Sequence, residues 1–349
     1  MTIYIALAVF PVLLGAFFPK LSEDKRQKRL FYIICGIAML LIMGLRHYSL
    51  GSTDTLNYYN AMRRALSSSS WTSFYDADLY EIGSQFFIFT LSRIFKNPQW
   101  LLVVTSLIYI ISIFYFVEHN SEDIPLSITL YVTLGLMTFH LQGMRQSIAM
   151  SICLFAYEQA KNKHLVRFLL LVALATAFHQ TAIVFLPVYI LCIMKFSKKS
   201  IFIMCAIAVI AVINADKIIQ IANAFFDRSY TTSVDQGGFV AVTIYVIILI
   251  LTLVFDDPLK NGNEQTPLLF ILILGFICYI MRYFGTLASE RISFYFAFSQ
   301  LALLPNSKSA VLKKEQTTMR LLIIFLAVAL MAYRLHGSEF VPYLFCWQS

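Results

Sequence analysis

The sequence predicts an all-α polytopic membrane protein with about twelve transmembrane helices. Three observations lead there. Hydrophobic residues make up 59% of the 349 positions and charged residues only 13%, against roughly 25% charged in a soluble domain. The apolar residues come in continuous runs, without the alternation over ~10-residue segments that a membrane β-barrel requires. The lysines lie in short loops between those runs, as charges that set orientation do.

The runs fall near 1–18, 30–45, 99–117, 124–141, 145–160, 165–178, 182–194, 201–215, 238–255, 267–281, 290–304 and 319–335. The shorter ones are read as tilted, as extending into their flanks, or as ending at mid-depth beside a cavity. The opening "MTIYIALAVFPVLLGAFF" has no basic n-region and no clear cleavage site, so it reads as a retained first span. The stretch 81–95, "EIGSQFFIFTLSRIF", has the composition of a span, an interfacial helix or a re-entrant segment. No repeat, linker or second domain is visible. The chain reads as one membrane domain over 1–349, with an outer loop at 46–98 and another at 216–237.

Loop charge sets the sidedness. Placing the basic loops 20–29, 161–167, 195–199 and 306–320 in the cytoplasm lets the spans alternate, provided 81–95 does not cross. Both termini then lie outside. A second pattern emerges that was not used to build this arrangement. Of the 14 lysines, 12 fall inside, and only Lys96 and Lys217 fall outside. Nine of the 13 arginines fall outside: Arg46, Arg63, Arg64, Arg93, Arg145, Arg228, Arg282, Arg291 and Arg334. Orientation signals do not distinguish the two cations, so the outer side favours guanidinium itself. Arginine offers a planar fork that matches phosphate or carboxylate oxygens in pairs. Trp71, Trp100 and Trp347 also fall near the outer boundary, as an interfacial belt would.

The net charge of +8 does not indicate nucleic acid binding; it is accounted for by orientation and by attraction to anionic lipid. The six cysteines form no CxxC pair and read as packing residues rather than a disulfide framework. The six histidines show no HExxH or i, i+4 pairing, and no P-loop, GxSxG or dinucleotide motif is present. Neither a metal nor another cofactor is expected.

Polar groups gather at the outer ends of the spans. "GLRHYSLGSTDTLNYY" supplies Arg46, His47, Asp54, Tyr58 and Tyr59, and "YEIG" supplies Glu81. "LQGMRQS" supplies Gln142, Arg145 and Gln146; "AFHQTA" supplies His179, Gln180 and Thr181; "MRYFGTLASERISFYF" supplies Arg282, Tyr283, Glu290 and Arg291. Snorkelling or interhelical salt bridges account for Arg63, Arg64, Arg93 and Arg334. Arg46, Arg145, Arg282 and Arg291 come from separate spans yet share one depth, which points to a common anion. His179 sits at the outward turn of a helical hairpin. It serves there either as a histidine satisfied by a backbone carbonyl or as one lining a polar cavity, where it could donate to an anion or take a proton.

In that order and spacing, "GLRHYSLGSTDTLNYYN", "YEIGSQFF", "GMRQSIAMSI" and "AFHQTAIVFLPVY" resemble the EpsG family of Wzy-like bacterial exopolysaccharide polymerases. The likeness covers roughly 40–190; the C-terminal third matches in span layout and in "MRYFGTLASERISFYF". One departure is Ser52, which separates Gly51 from "TDT". The resemblance implies an architecture similar to GT-C glycosyltransferases and a bacterial cytoplasmic membrane location with the site facing outward. It implies a reaction on undecaprenyl-pyrophosphate-linked oligosaccharide repeat units, giving exopolysaccharide, capsule or O-antigen, and a chain-length regulator as protein partner. It assigns Arg145 and Arg282, then Arg46 and Arg291, to the pyrophosphate. Asp54, slightly ahead of His179, becomes the base, with His179 the alternative base or a ligand of a phosphate or sugar oxygen. Gln146, Gln180, Tyr58, Glu81, Glu290 and Tyr283 line the sugar part of the cavity.

Two other classes fit part of the pattern. A lipid-linked oligosaccharide flippase or other transporter would place charge near the midplane and show repeat symmetry. A membrane O-acyltransferase could centre on one buried histidine, but a cytoplasmic acyl donor would have to arrive from the lysine side. The sidedness is testable with single cysteines in a cysteine-free background. A membrane-impermeant maleimide should label Ser69→Cys and not Ser309→Cys in intact cells; the reverse pattern would invert the topology.

Overall fold

Helices occupy nearly every apolar run, because a chain in lipid must satisfy its backbone polar groups within each segment. A computed structural model describes all residues except 22, 78, 196, 215–216, 219, 222–237, 256–264, 284–287, 308–312 and 349. Nearly all of the expected outer loop 216–237, Arg228 included, lies outside the described residues. The helices are α1 (Thr2–Ala16), α2 (Lys25–Gly44), α3 (Ser52–Ser67), α4 (Trp71–Phe74), α5 (Ile82–Ile94), α6 (Gln99–Asn120), α7 (Ile124–Thr133), α8 (Leu136–Gln142), α9 (Met144–Lys161) and α10 (Leu165–Phe178). After a 3-10 turn at Gln180–Phe185 come α11 (Pro187–Ile193), α12 (Lys198–Ile213), α13 (Phe239–Phe255), α14 (Thr266–Ile280), α15 (Ala288–Ala297), α16 (Gln300–Ser307) and α17 (Lys313–Leu335). Among the described residues there is no strand, only an isolated bridge between Arg46 and Phe345.

Among the described residues, four helical segments are long and apolar enough to cross a membrane: Lys25–Gly44, Gln99–Asn120, Thr266–Tyr283 and Glu315–Leu335. A fifth is the pair α7 and α8, bent by 52° at its break. Helix α2 shows why a bilayer is required. Phe31, Cys35, Met39 and Met43 form a fully buried stripe at i, i+4 spacing, while Leu30, Ile33, Ile34, Ile37 and Leu41 are exposed on the other side. Helix α17 exposes Leu321, Leu322, Phe325 and Leu326 in the same way. Apolar faces of this extent would draw a water-soluble protein into aggregates. The chain is a multi-pass helical membrane protein.

The contacts divide the chain into two units, Met1–Phe155 with Ala173–Ala182 and Thr317–Ser349, and Ala156–Val172 with Ile183–Gln316. In the first, α1 packs on α7 and α2 on α6. Thr129 Oγ1 donates to Ala8 O at 2.7 Å. Contacts at the helix ends pair as alternating crossings require. At one end Lys28 meets Glu118 at 3.5 Å, and the Arg320 guanidinium meets the Asp123 carboxylate at 2.9 Å. At the other end Gln142 donates to Glu339 at 3.2 Å, Tyr343 Oη donates to Ile42 O, and the tail bridges Arg46. In the second unit α14 is central, packed by α11, α12, α13 and α15. Phe185 stacks on Phe296, with ring centroids 6.2 Å apart.

The run 124–141, expected as one helix, is broken. Gly135 takes φ +101°, a conformation that other residues adopt only under strain, and the Arg334 guanidinium packs against its open face. Arg334 Nη1 donates to Thr133 O at 3.5 Å, placing a cation on the carbonyl end of α7, where the helix dipole favours it. Arg334, expected to snorkel, instead closes this break. The run 290–304 likewise divides into α15 and α16, and 182–194 begins as a 3-10 turn.

Asp123 both caps α7, accepting from Leu126 N at 3.2 Å, and pairs with Arg320. Asparagine keeps a cap acceptor and alanine does not, so Asp123→Ala should be less stable than Asp123→Asn by about 1 kcal/mol. Thermal unfolding of the two variants in one detergent checks this; equal midpoints would assign the residue's contribution to its charge alone.

Candidate active site

The first turn of α5 is built to approach the end of α10. A Cβ on Gly83 would lie 2.6 Å from Ala177 O, a backbone atom that cannot give way. Ser84 Oγ donates to Phe178 O at 2.8 Å. The buried Gln85 braces the preceding loop, donating to Asp76 O at 2.7 Å and Tyr80 O at 2.6 Å. These contacts seat Glu81 beside the turn that follows α10, where the chain carries His179 and Gln180.

Glu81 is the hub of the site. Its Oε1 meets His179 Nδ1 at 3.0 Å and accepts from Gln180 N at 3.3 Å. Its Oε2 accepts from Arg145 Nη1, at the start of α9. Arg145 Nε donates to Tyr58 Oη at 3.3 Å, and its guanidinium lies 4.6 Å over the Tyr80 ring, a cation–π geometry. The Tyr58 and Tyr80 rings are 5.5 Å apart. The side chains of Glu81, Arg145 and His179 are 6%, 14% and 18% exposed.

Burial opposes ionisation of Glu81, but the His179 hydrogen bond and the Arg145 charge outweigh it and hold the carboxyl at about 2. At neutral pH it is a carboxylate, which can only accept. Nδ1 of His179 must therefore be the donor, and in the neutral ring Nε2 carries the lone pair. Burial pushes the Tyr80 phenol up to about 12 and raises that of Tyr58 as well, so both are neutral hydroxyls. Asp54, half-buried one turn before Tyr58 on α3, is close enough for its charge to act on both phenols. Gln146 is buried beside Arg145.

Arg46 has partners of its own. Arg46 is 1% exposed. Its Nη1 donates to Met43 O and its Nη2 to Leu141 O at 3.0 Å. Burial lowers its pKa to about 10, with the phenols of Tyr109, Tyr343, Tyr4 and Tyr131 acting in the opposite sense; it remains charged. The tail covers it, with His47 N donating to Leu344 O and Cys346 N to Leu45 O, both at 2.8 Å. In the second unit Arg282, 5% exposed, donates from Nη1 to Glu290 Oε2 at 2.7 Å and to Tyr279 Oη at 2.8 Å. Tyr283 lies 5.7 Å from that guanidinium. Arg291 is exposed.

Sequence reasoning named Glu81 only as a lining residue and passed over Tyr80 and Gln85. The available signal was a lone carboxylate opening an apolar helix, which must find a cation when buried.

Apolar helices sized for a bilayer, with guanidinium–carboxylate pairs at helix ends, define a polytopic membrane protein. The EpsG family model matches residues 29–345, and the chain belongs to the EpsG family, a Wzy-like polymerase family. Searches of curated proteins and of solved structures return no match.

Gly83→Ala should force α5 away from α10 and cost about 1–3 kcal/mol, as overpacking does. A lowered thermal midpoint in detergent, with polymer synthesis reduced in parallel, is the expected outcome; an unchanged midpoint would mean that α5 and α10 are not in close contact.

Proposed function

We propose that this protein joins undecaprenyl-pyrophosphate-linked oligosaccharide repeat units into exopolysaccharide, capsule or O-antigen chains at the outer face of the bacterial cytoplasmic membrane. In this reading about twelve crossings in a GT-C-like arrangement surround an outward-facing polar site, which works without metal or cofactor. The observation that carries it is the cluster on Glu81, where a guanidinium and an imidazole share one carboxylate in a chain of a Wzy-like polymerase family. The lysine–arginine sidedness supports the outward orientation, and a chain-length regulator is the protein partner we propose.

The growing chain is the donor. The acceptor hydroxyl oxygen bonds to the donor's anomeric carbon, the bond from that carbon to the phosphate oxygen breaks, and undecaprenyl pyrophosphate leaves with the electron pair. The hydroxyl proton goes to the base. Between the two candidates we favour His179, because Glu81 directs its Nδ1–H and leaves Nε2 to accept. Asp54 then acts as a polar neighbour of Tyr58 and Tyr80. Arg145 meets the charge that develops on the leaving pyrophosphate, the term that preorganised donors stabilise most. Arg282 is our phosphate residue in the second unit. Arg46, held on backbone carbonyls beneath the tail, is in this reading a structural cation.

Extension of lipid-linked repeat units by purified protein tests the whole reading. Arg145→Lys keeps a charge but loses the fork, and should slow extension about 10²–10³-fold. His179→Gln should abolish it and Asp54→Asn should spare it. Native ladders from both Arg145→Lys and His179→Gln would refute the assignment.

A further inference from the structure

Glu81 occupies the position that a substrate anion would want. Its Oε2 holds Arg145 Nη1, and its Oε1 holds His179 Nδ1 and Gln180 N. The groups facing it are Arg145 from α9, Tyr58 and Asp54 from α3, Tyr80 from the preceding loop, and His179 from the end of α10. Glu81 touches both the cation and the imidazole. A side chain 6% exposed, next to a glycine that admits no Cβ, meets both partners in a defined geometry.

We propose that Glu81 is a positioning residue with two linked roles. It locks His179 in the Nδ1–H tautomer, and it serves as a built-in anion on Arg145 until the donor's pyrophosphate displaces or shares it. The proposal rests on the polymerase reading for the identity of the displacing anion, but the tautomer lock stands on geometry alone.

The two roles pull in opposite directions in a substitution. In Glu81→Gln the amide cannot compete as an anion for the guanidinium, so pyrophosphate should bind more tightly. The amide can also donate to the imidazole as well as accept from it, so the tautomer is no longer dictated. A residue that only holds the fold would weaken binding and rate together. A carboxylate that competes with substrate should, on removal, tighten one and slow the other, because an anion beside the phosphate site repels the ligand.

The test uses the full chain in nanodiscs. Undecaprenyl pyrophosphate binding is titrated calorimetrically, and extension is measured at saturating donor. Glu81→Gln should bind the lipid pyrophosphate about tenfold more tightly and extend chains about 10²-fold more slowly, a loss within the range of acid–base catalysis. Binding and rate falling together, or an unchanged rate, overturns the proposal. A second measurement needs no Glu81 variant. Nitrogen NMR of ¹⁵N-histidine-labelled wild-type protein at pH 8, with the His179 signal assigned by its loss in His179→Gln, should show Nδ1 protonated and Nε2 bare. Any other state of that ring overturns the lock. If His179→Gln and Arg145→Lys extend at the native rate, the polymerase site itself has been misassigned. If both lose activity while Glu81→Gln keeps it, only the positioning role of Glu81 fails.

Discussion

A carboxylate removed from water must be met by charge or by donors, and Glu81 is met by both. Breaking one partner of such a buried pair leaves the other uncompensated, at about 3–5 kcal/mol. That penalty makes the seating of α5 consequential. Gly83, Ser84 and Gln85 sit in the first turn of α5 and have no chemistry of their own, yet they decide where the carboxylate lies. Arg145 and His179 take their orientations from it, and Tyr58 and Tyr80 take theirs from Arg145. The site is assembled inward from one anion.

The other arginines are handled differently. Arg46 meets no carboxylate among its described partners and spends its Nη donors on carbonyls at the ends of α2 and α8. Arg334 fills the break between α7 and α8. Arg320 binds the aspartate that caps α7. Guanidinium suits all of these tasks because its donors are spread in a plane and its charge persists in a low dielectric. The arginines are therefore put to mixed use: Arg46, Arg320 and Arg334 sit on helix ends, while Arg145 and Arg282 pair with glutamates.

Much of the fold was legible in the sequence, because continuous apolar runs leave a chain in lipid few alternatives to helix. The breaks were not legible. The run 124–141 carries Gly135 but no proline at the break, and the guanidinium that closes on the break comes from Arg334, about two hundred residues away. At the candidate site, the residue types at span ends could be read, and Asp54, Tyr58, Glu81, Arg145, His179 and Gln180 do come together. Their pairing could not be read, since a carboxylate's partners are set by tertiary packing rather than spacing. "GLRHY" likewise gives no sign that residues 343–346 will cover Arg46.

That cover has a consequence for biosynthesis. Arg46 is joined by an isolated bridge to Phe345, so its final surroundings do not exist until nearly three hundred further residues have been translated. At ~5–20 residues per second the interval is about 15–60 s. Throughout it the nascent chain holds an arginine at the end of α2 whose permanent roof has yet to leave the ribosome. The guanidinium must stay with water, lipid phosphate or the insertion machinery, and burial of Arg46 waits for residues 343–346.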